Sequence, residues 1–247
     1  MKILLIKQTS LGDVVHATTS LRSVRIAYPD AEISLLTSAT ASDIFLNNPD
    51  VDKLITFDRY KVDSLWRSQP GWVLSHFRET FAAVRKEKYD AVFDLQGSWK
   101  TVIFLWSSRS SKRYVKGKWL FAKRYHRSNV HAIDEMNGVL SLGNIQSRQF
   151  LPLLFESEED RSKISDICKN LPLRDKKVVL FCPFTRWNTK NWPLRNYVDL
   201  AELISNEYFI FFTGSEADRA PISAATSSLP KDHFINLAGE LSLTNFF

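Results

Sequence analysis

The first 24 residues, "MKILLIKQTSLGDVVHATTSLRSV" (1–24), decide the fold of this chain. The continuous apolar run Ile3–Ile6 is typical of a strand buried inside a parallel sheet. A polar turn that holds Gly12 and Asp13 follows, and a helical pattern then runs over Val14–Ala27. Strand, turn and helix in this order begin a βαβ unit. The stretch therefore predicts an α/β domain whose first turn carries a carboxylate.

The alternation of strand and helix continues along the chain and later restarts. The first series has further predicted strands at 31–38, 53–58 and 89–97, a short helix ending before Pro49 and a helix at 73–88. The second series has predicted strands at 177–184, 208–215 and 233–239, with helices at 193–206 and 216–229. This pattern predicts two Rossmann-like, doubly wound parallel-sheet domains. Their predicted bounds are 1–155 and 176–247, joined by a linker with a helix at 156–175.

The second predicted domain is small for its class. Only three strands fit into it, and the chain ends at "GELSLTNFF" (239–247), where a helix capped by Ser242 would barely begin. We therefore expect this domain to be incomplete, with a C-terminal part missing.

Composition narrows the class of protein. Of the 247 residues, 44% are hydrophobic, and the formal net charge is +6, so we expect a folded core and anionic partners. Cys168 and Cys182 form neither a disulfide framework nor a metal-ligand spacing. The opening apolar run is too short for a signal peptide, and no stretch is long enough for a membrane helix. We expect a cytoplasmic protein that at most touches a membrane from outside.

Two strand ends in the first half carry polar side chains. Asp13 follows the first strand, and Gln96 and Lys100 lie in "FDLQGSWKT" (93–101), after the fourth. Parallel strands bind ligands at their carboxyl edge, so these side chains would line one crevice. Gly12 would permit a tight or positive-φ backbone, and the helix-start amides would attract an anion. Residue type alone favours helix capping for Asp13 and a structural turn for "DLQG". The G-x-G-x-x-G fingerprint of dinucleotide binding is missing.

The loop "CPFTRWNTKNWP" (182–193) is the strongest candidate site in the second half. Its hydroxyls and its lysine precede a helix that Pro193 would begin, which suits a pyrophosphate. It is not a Walker A motif, because the required glycines are missing. Further on, Glu216 in "FFTGSEAD" (211–218) would accept hydrogen bonds from ribose hydroxyls. An acid favoured by the helix dipole explains Glu216 at least as well.

The segment 109–127 is rich in lysine and arginine and also holds Trp119 and Phe121. Such a patch would steer an acidic glycolipid, but an ordinary solvated face explains it equally well. RNA is a rival partner, although no RNA-recognition motif accompanies the charges.

Three blocks together resemble the bacterial lipopolysaccharide heptosyltransferases of glycosyltransferase family 9. They are "IKQTSLGDVVHATTSLRSVRIAYPDAEISLLTS" (6–38), "YDAVFDLQGSWKT" (89–101) and "CPFTRWNTKNWPLRNYVDLAELI" (182–204). The resemblance implies a GT-B fold whose N-terminal domain binds the sugar acceptor and whose C-terminal domain binds ADP-heptose. By matching position, Asp13 would be the general base, with Ser10, Gly12, Gln96 and Lys100 on the acceptor side. The donor side would comprise Thr185, Thr189, Lys190, Glu216 (or, with a shifted alignment, Asp218) and Leu241.

The resemblance also implies a reaction and its partners. Heptose would pass with inversion from ADP-heptose to Kdo or heptose in the inner core of a lipid A-type acidic glycolipid. The matching motifs contain no Asp-x-Asp pair, so we predict no metal and no other cofactor. Peripheral contact with the inner membrane is expected, and nucleic acid binding is not.

A second hypothesis is a catalytically inactive remnant, or a module that binds sugar or phosphate. Members of the family continue past the segment matched by "LAGELSL" (237–243) into a D-[ST]-G-x-x-H loop that closes on the donor, and this sequence lacks that loop. A nicotinamide-dependent oxidoreductase is excluded by the missing glycine fingerprint.

Overall fold

The structure is a computed structural model that describes residues 1–126, 129–147, 151–173, 176–185 and 187–246. It contains two compact units, Met1–Phe155 and Glu156–Phe247. None of the helices described is both long enough and apolar enough to cross a bilayer.

The first unit is built on a six-stranded sheet with strand order β3-β2-β1-β4-β5-β6, in which every neighbouring pair is parallel. The strands are β1 Lys2–Ile6, β2 Glu32–Thr37, β3 Lys53–Thr56, β4 Ala91–Asp94, β5 Arg113–Lys116 and β6 Lys123–Tyr125. The helices are α1 Leu11–Ala27, α2 Arg59–Leu65, α3 Pro70–Lys86, α4 Trp99–Ser107 and α5 Ala132–Ser141, with a 3₁₀ turn at Ala39–Phe45. The predicted doubly wound α/β class is confirmed.

The apolar run in β1 is continuous because helices cover both faces of the sheet. All residues of Ile3–Ile6 are fully buried. Leu4 and Ile6 pack into a cluster with Val84 of α3 and Phe104 of α4, while α1 and α5 pack against each other. Strands buried on both faces cannot alternate apolar and polar residues, so they give a run rather than an alternation.

Several elements of the first unit differ from the sequence prediction. Helix α1 begins at Leu11, three residues earlier than predicted, because Ser10 already takes the N-cap position. Strands β5 and β6 lie inside the basic segment 109–127, where no strand was predicted. β6 is the edge strand of the sheet and β5 lies next to it. Charged side chains are common at sheet edges, so these two strands lack an apolar run. Helices α2 and α5 were also missed.

The second unit contains a three-stranded parallel sheet with the order β7-β8-β9. Its elements are α6 Glu158–Lys169, β7 Lys177–Phe181, α7 Leu194–Ile204, β8 Tyr208–Phe212, α8 Glu216–Ala225 and β9 Phe234–Asn236, with 3₁₀ turns at Asn188–Lys190 and Thr244–Phe246. Helices α7 and α8 cover one face around Ile210 and Phe212, and α6 covers part of the other around Phe209 and Phe211. The predicted strands and helices of this unit are present with shorter bounds.

Candidate functional site

Asp13 lies in the first turn of α1, beyond the carboxyl end of β1. The backbone N–H of Ser10 donates to its Oδ2 over 3.2 Å, and the Nζ of Lys7 lies 3.6 Å from the same oxygen. The Asp13 side chain is still 41% exposed, whereas that of Lys7 is only 6% exposed. The capping interpretation is therefore correct in geometry, but it occupies one oxygen and leaves the carboxylate open to a ligand.

The protonation of this pair follows from its surroundings. Burial opposes ionisation of Asp13, but the charge of Lys7 and the hydrogen bonds from Ser10 outweigh it, so the pKa of Asp13 lies below its usual value. Burial also lowers the pKa of Lys7, with the charge of Asp13 acting in the opposite direction. At neutral pH the result is an ionised carboxylate beside a largely buried ammonium.

Gln96 joins the turn after β1 to the turn after β4. Its side-chain Oε1 accepts the backbone N–H groups of Gln8 and Thr9 over 2.9 and 3.0 Å. Its Nε2 donates to the Oγ of Ser98 over 3.1 Å. Most of the hydrogen-bonding capacity of Gln96 is thus used to hold the chain that leads into Asp13, and one amide N–H is left for a ligand.

The turn that carries Gln96 is itself fixed from beneath by Asp94. The buried Oδ1 of Asp94 accepts the backbone N–H groups of Gln96 and Gly97 over 3.0 and 2.9 Å. Burial raises the pKa of Asp94 to about 6, although these two hydrogen bonds act to lower it. Gly97 has φ +65°, and a Cβ there would lie 1.8 Å from the carbonyl oxygen of Lys116, so only glycine fits.

The structure corrects the prediction made for Gly12. This residue lies inside α1 and is not among the positive-φ glycines, so it does not make the tight turn expected of it. A Cβ at Gly12 would meet no atom within 4 Å. Gly12 therefore contributes open space beside Asp13 rather than an unusual backbone conformation.

Lys100 lies at the start of α4, on the same edge of the sheet, but it is already paired. Its Nζ donates to both carboxylate oxygens of Asp63 and lies 5.4 Å from the ring centre of Trp99. Arg59 lies 3.7 Å from the same carboxylate and donates to the Oγ1 of Thr9 over 3.1 Å. Lys7, Asp94 and Arg59 were not predicted as site residues. The available signals were a lysine directly after a buried run, for Lys7, and the strand-end turn "DLQG" (94–97), for Asp94.

The loop after β7 is held by hydrogen bonds between its own residues. The backbone N–H and the hydroxyl of Thr185 both donate to the Oδ1 of Asn191 over 2.8 Å, which closes the loop. Thr189 and Lys190 lie in the 3₁₀ turn and are exposed. The side chain of Lys190 makes no ion pair or hydrogen bond with the described residues. The described residues of this loop thus present hydroxyls and one uncompensated cation to solvent.

Two acids follow β8, and they have different surroundings. Asp218 accepts the backbone N–H of Ser215 over 2.8 Å and its hydroxyl over 2.7 Å, so it caps α8. Glu216 is 77% exposed, and its only ion pair in the described chain is a 3.7 Å contact with Arg219. The carboxylate of Glu216 lies against Gly239, where an added Cβ would come within 2.0 Å of Oε2. Of the two acids, Glu216 is the one available to a ligand.

Leu241 lines a cavity of about 350 Å³ on the α6 side of the second sheet. The cavity is mainly apolar, with Val178, Leu180, Phe211 and Leu237 among its lining residues. Its volume is at the small end of the usual range for ligand sites. Across the described ranges, no three His, Cys, Asp or Glu side chains are grouped closely enough to hold a metal ion.

Comparisons with known proteins agree on one family. The model of glycosyltransferase family 9 (heptosyltransferase) matches residues 77–247. Lipopolysaccharide heptosyltransferase 2 of Salmonella typhimurium is 25% identical over 268 residues, which cover 98% of this chain and 72% of the relative.

Among solved structures, a family 9 glycosyl transferase from Veillonella parvula superposes with a TM-score of 0.80 at 21% identity and covers 99% of this chain and 70% of its own. E. coli heptosyltransferase WaaC with ADP-2-deoxy-2-fluoro heptose superposes with a TM-score of 0.78 at 19% identity, covering 100% of this chain and 78% of its own. These likenesses confirm the GT-B type of fold. Because the family model matches more than half of the sequence, the chain belongs to glycosyltransferase family 9, the heptosyltransferases.

Proposed function

We propose that this protein transfers heptose from ADP-heptose to a Kdo or heptose residue in the inner core of a lipid A-type glycolipid. The observation that carries the proposal is the geometry of Asp13, an ionised and accessible carboxylate fixed by Lys7 and Gln96 beside open space. Family membership and the names of the relatives support the choice of sugar. Since such an acceptor is anchored in lipid, we also propose that the enzyme works at the cytoplasmic face of the inner membrane.

In this mechanism Asp13 acts as the general base. The acceptor hydroxyl attacks the anomeric carbon while ADP leaves from the opposite face, and Asp13 takes the hydroxyl proton. A carboxylate with a lowered pKa is a weak base, so the proton moves late, when the heptose already has oxocarbenium character. The ammonium of Lys7 loses its counter-charge when Asp13 is protonated, which favours rapid release of the proton.

The donor binds through the second unit. Lys190, whose charge is uncompensated in the described chain, offsets the charge that grows on the departing pyrophosphate, so the proposal needs no metal ion. Thr185 and Thr189 offer hydroxyls to the phosphates, Glu216 binds the ribose hydroxyls, and Leu241 contacts the adenine. The solved WaaC complex contains an ADP-sugar, which supports a donor of this class.

The test is a transfer assay with the full chain, ADP-heptose and a Kdo-lipid A acceptor, comparing wild type with Asp13→Asn. Asparagine keeps an oxygen for the Ser10 amide but cannot take up the proton. We expect kcat to fall by about 10²–10⁴-fold, while the affinity for ADP, measured by calorimetry, stays the same. Equal turnover in the two proteins would refute the base assignment.

A non-catalytic binding module is the second candidate. It is favoured by the Thr185–Asn191 closure, which lies wholly within the second unit and needs no group from the first. Micromolar ADP binding by a wild-type protein that shows no transfer to any inner-core acceptor would establish it.

A further inference from the structure

One face of the first unit, formed by α2, α3 and α4, exposes large apolar side chains. Trp66, Trp99 and Trp106 are 57%, 63% and 62% exposed, and Leu74 is 63% exposed. Three of the five exposed tryptophans in the described part of the chain lie here. Together with Arg67 and Arg78, these four residues define what we call the α2–α4 surface. Apolar patches of this kind mark binding surfaces more often than chance exposure.

Three of the four apolar side chains line concave parts of this face. Trp66 and Trp99 line the same cavity of about 460 Å³, together with Phe77. Trp106 lines a groove between α3 and α4, together with Arg78. Trp99 and Trp106 are seven residues apart on α4 and so share one side of it, as Leu74 and Arg78 do on α3.

The charges around these side chains are mainly positive. Five basic residues line the cavity and the groove or stack on a tryptophan that does so, against two acids. The basic residues are Arg59, Arg67, Arg78, Arg85 and Lys100, and the acids are Asp63 and Glu79. Asp63 is already paired with Lys100 and Arg59. Arg67 and Arg78 form no ion pair with any described residue. The face therefore carries cations that are free to meet an anionic partner.

Each of three tryptophans on this face has a cation against its ring. Arg67 lies 4.7 Å from the ring centre of Trp66, Lys61 lies 4.7 Å from that of Trp72, and Lys100 is similarly close to Trp99. Indole rings with a polar N–H favour the headgroup layer of a bilayer, and basic side chains beside them reach the lipid phosphates. Ring faces that are covered by these cations are less suited to stacking on nucleic acid bases. Leu74 cannot stack on a base or bind a phosphate.

We propose that the α2–α4 surface docks this protein onto a bilayer that carries anionic phospholipid headgroups. The surface adjoins the turn before Asp13, because Arg59 of α2 lines the cavity and also donates to Thr9. Docking there holds that turn close to the headgroup layer, where a lipid-anchored sugar is found. The inference deepens the proposed function, on which it rests for the membrane location, by naming the surface that docks.

The test is co-flotation of the full chain with phosphatidylethanolamine vesicles that contain or lack phosphatidylglycerol. We expect binding only with phosphatidylglycerol, weakened by salt. The double variant Trp66→Ser/Trp106→Ser should lose about tenfold or more in vesicle affinity. The matched control Trp187→Ser/Leu203→Ser removes two equally exposed apolar side chains from the second unit and should stay within about twofold of wild type.

A second pair of variants tests the charges. Arg67→Gln/Arg78→Gln should weaken binding to anionic vesicles by about tenfold and flatten its salt dependence. Lys112→Gln/Lys118→Gln, in the basic segment 109–127, is the matched control and should bind like wild type. Circular dichroism melts confirm that each variant is folded.

Three outcomes would overturn the proposal. They are equal binding to vesicles with and without phosphatidylglycerol, loss of binding in the Lys112/Lys118 control instead of the Arg67/Arg78 variant, and an effect of the tryptophan variants on binding of poly(U) RNA but not of vesicles. Asp13→Asn should still float with wild-type affinity. Failure of the proposed function is thereby separated from failure of the docking surface.

Discussion

The turn that carries Asp13 in the first unit and the loop that carries Lys190 in the second both follow a parallel strand, but they are held in different ways. The Asp13 turn is tied to a strand more than 80 residues away through Gln96 and the buried Asp94. In the described part of the chain, the Lys190 loop is closed by hydrogen bonds between its own residues and is exposed. A group that receives a proton must be held to within a few tenths of an ångström, whereas a loop that binds phosphate needs accessible donors and one cation. The difference is what the proposed function requires, with a base in the first unit and a donor site in the second.

The largest predicted effect on the Asp13 turn comes from removing the hydrogen bonds that Gln96 accepts. Gln96→Leu leaves the part-buried amides of Gln8 and Thr9 without an acceptor, so we expect the free energy of unfolding of the first unit to fall by about 2–5 kcal/mol. Transfer activity should fall further than the unfolded fraction explains, because the turn before Asp13 loosens. Urea denaturation and a transfer assay measure the two effects.

Gln96→Glu is the matched control for this variant. Its carboxylate still accepts both amides and loses only the donor to Ser98, so most of the stability should return. If the leucine and glutamate variants unfold at the same urea concentration, the bridge is not what holds the turn.

The site was only partly predictable from the sequence, for physical reasons. Asp13 was found because a buried run, a turn and a helix are local signals. Lys7 and Asp94 were missed because their importance comes from burial, which depends on strands that are distant in sequence. The backbone conformation predicted for Gly12 was wrong, because Ser10 caps the helix early and places Gly12 inside it. Strands β5 and β6 were missed because they lie near the edge of the sheet and carry charged side chains.

A smaller effect, confined to binding, is expected from Lys190→Ala. The loop keeps its Thr185–Asn191 closure, so the fold should not change, and the loss of one cation should weaken ADP binding by about 10–100-fold. Calorimetric titration of ADP measures this loss. Lys190→Arg should retain most of the affinity, and Lys231→Ala, an exposed lysine elsewhere in the second unit, should retain all of it. An unchanged affinity in Lys190→Ala would mean that the loop has only a structural role.

The smallest predicted effect is the pH dependence that Asp94 gives to the first unit. Its pKa is raised from 3.8 to about 6 in the folded protein, so between these values the folded state binds more protons than the unfolded state. Stability contributed by this group therefore falls as the pH rises through that window, and the cost reaches its full size about one pH unit above the folded pKa. Asp94→Asn cannot ionise, yet its Oδ1 can still accept the amides of Gln96 and Gly97.

The test for Asp94 is how the stability difference between Asp94→Asn and wild type changes with pH. The size of that difference at a single pH is not informative, because the amide nitrogen of the asparagine adds a cost that does not depend on pH. The free energy of unfolding of Asp94→Asn, relative to wild type, should rise by about 1 kcal/mol between about pH 5 and pH 7. Urea denaturation of both proteins across this range measures the difference. A difference that stays flat, or that falls with pH, would mean that Asp94 ionises as readily in the folded chain as in the unfolded one. The group that supports the Asp13 turn would then be charged and solvated despite its burial. In that respect the Asp13 turn would resemble the exposed Lys190 loop.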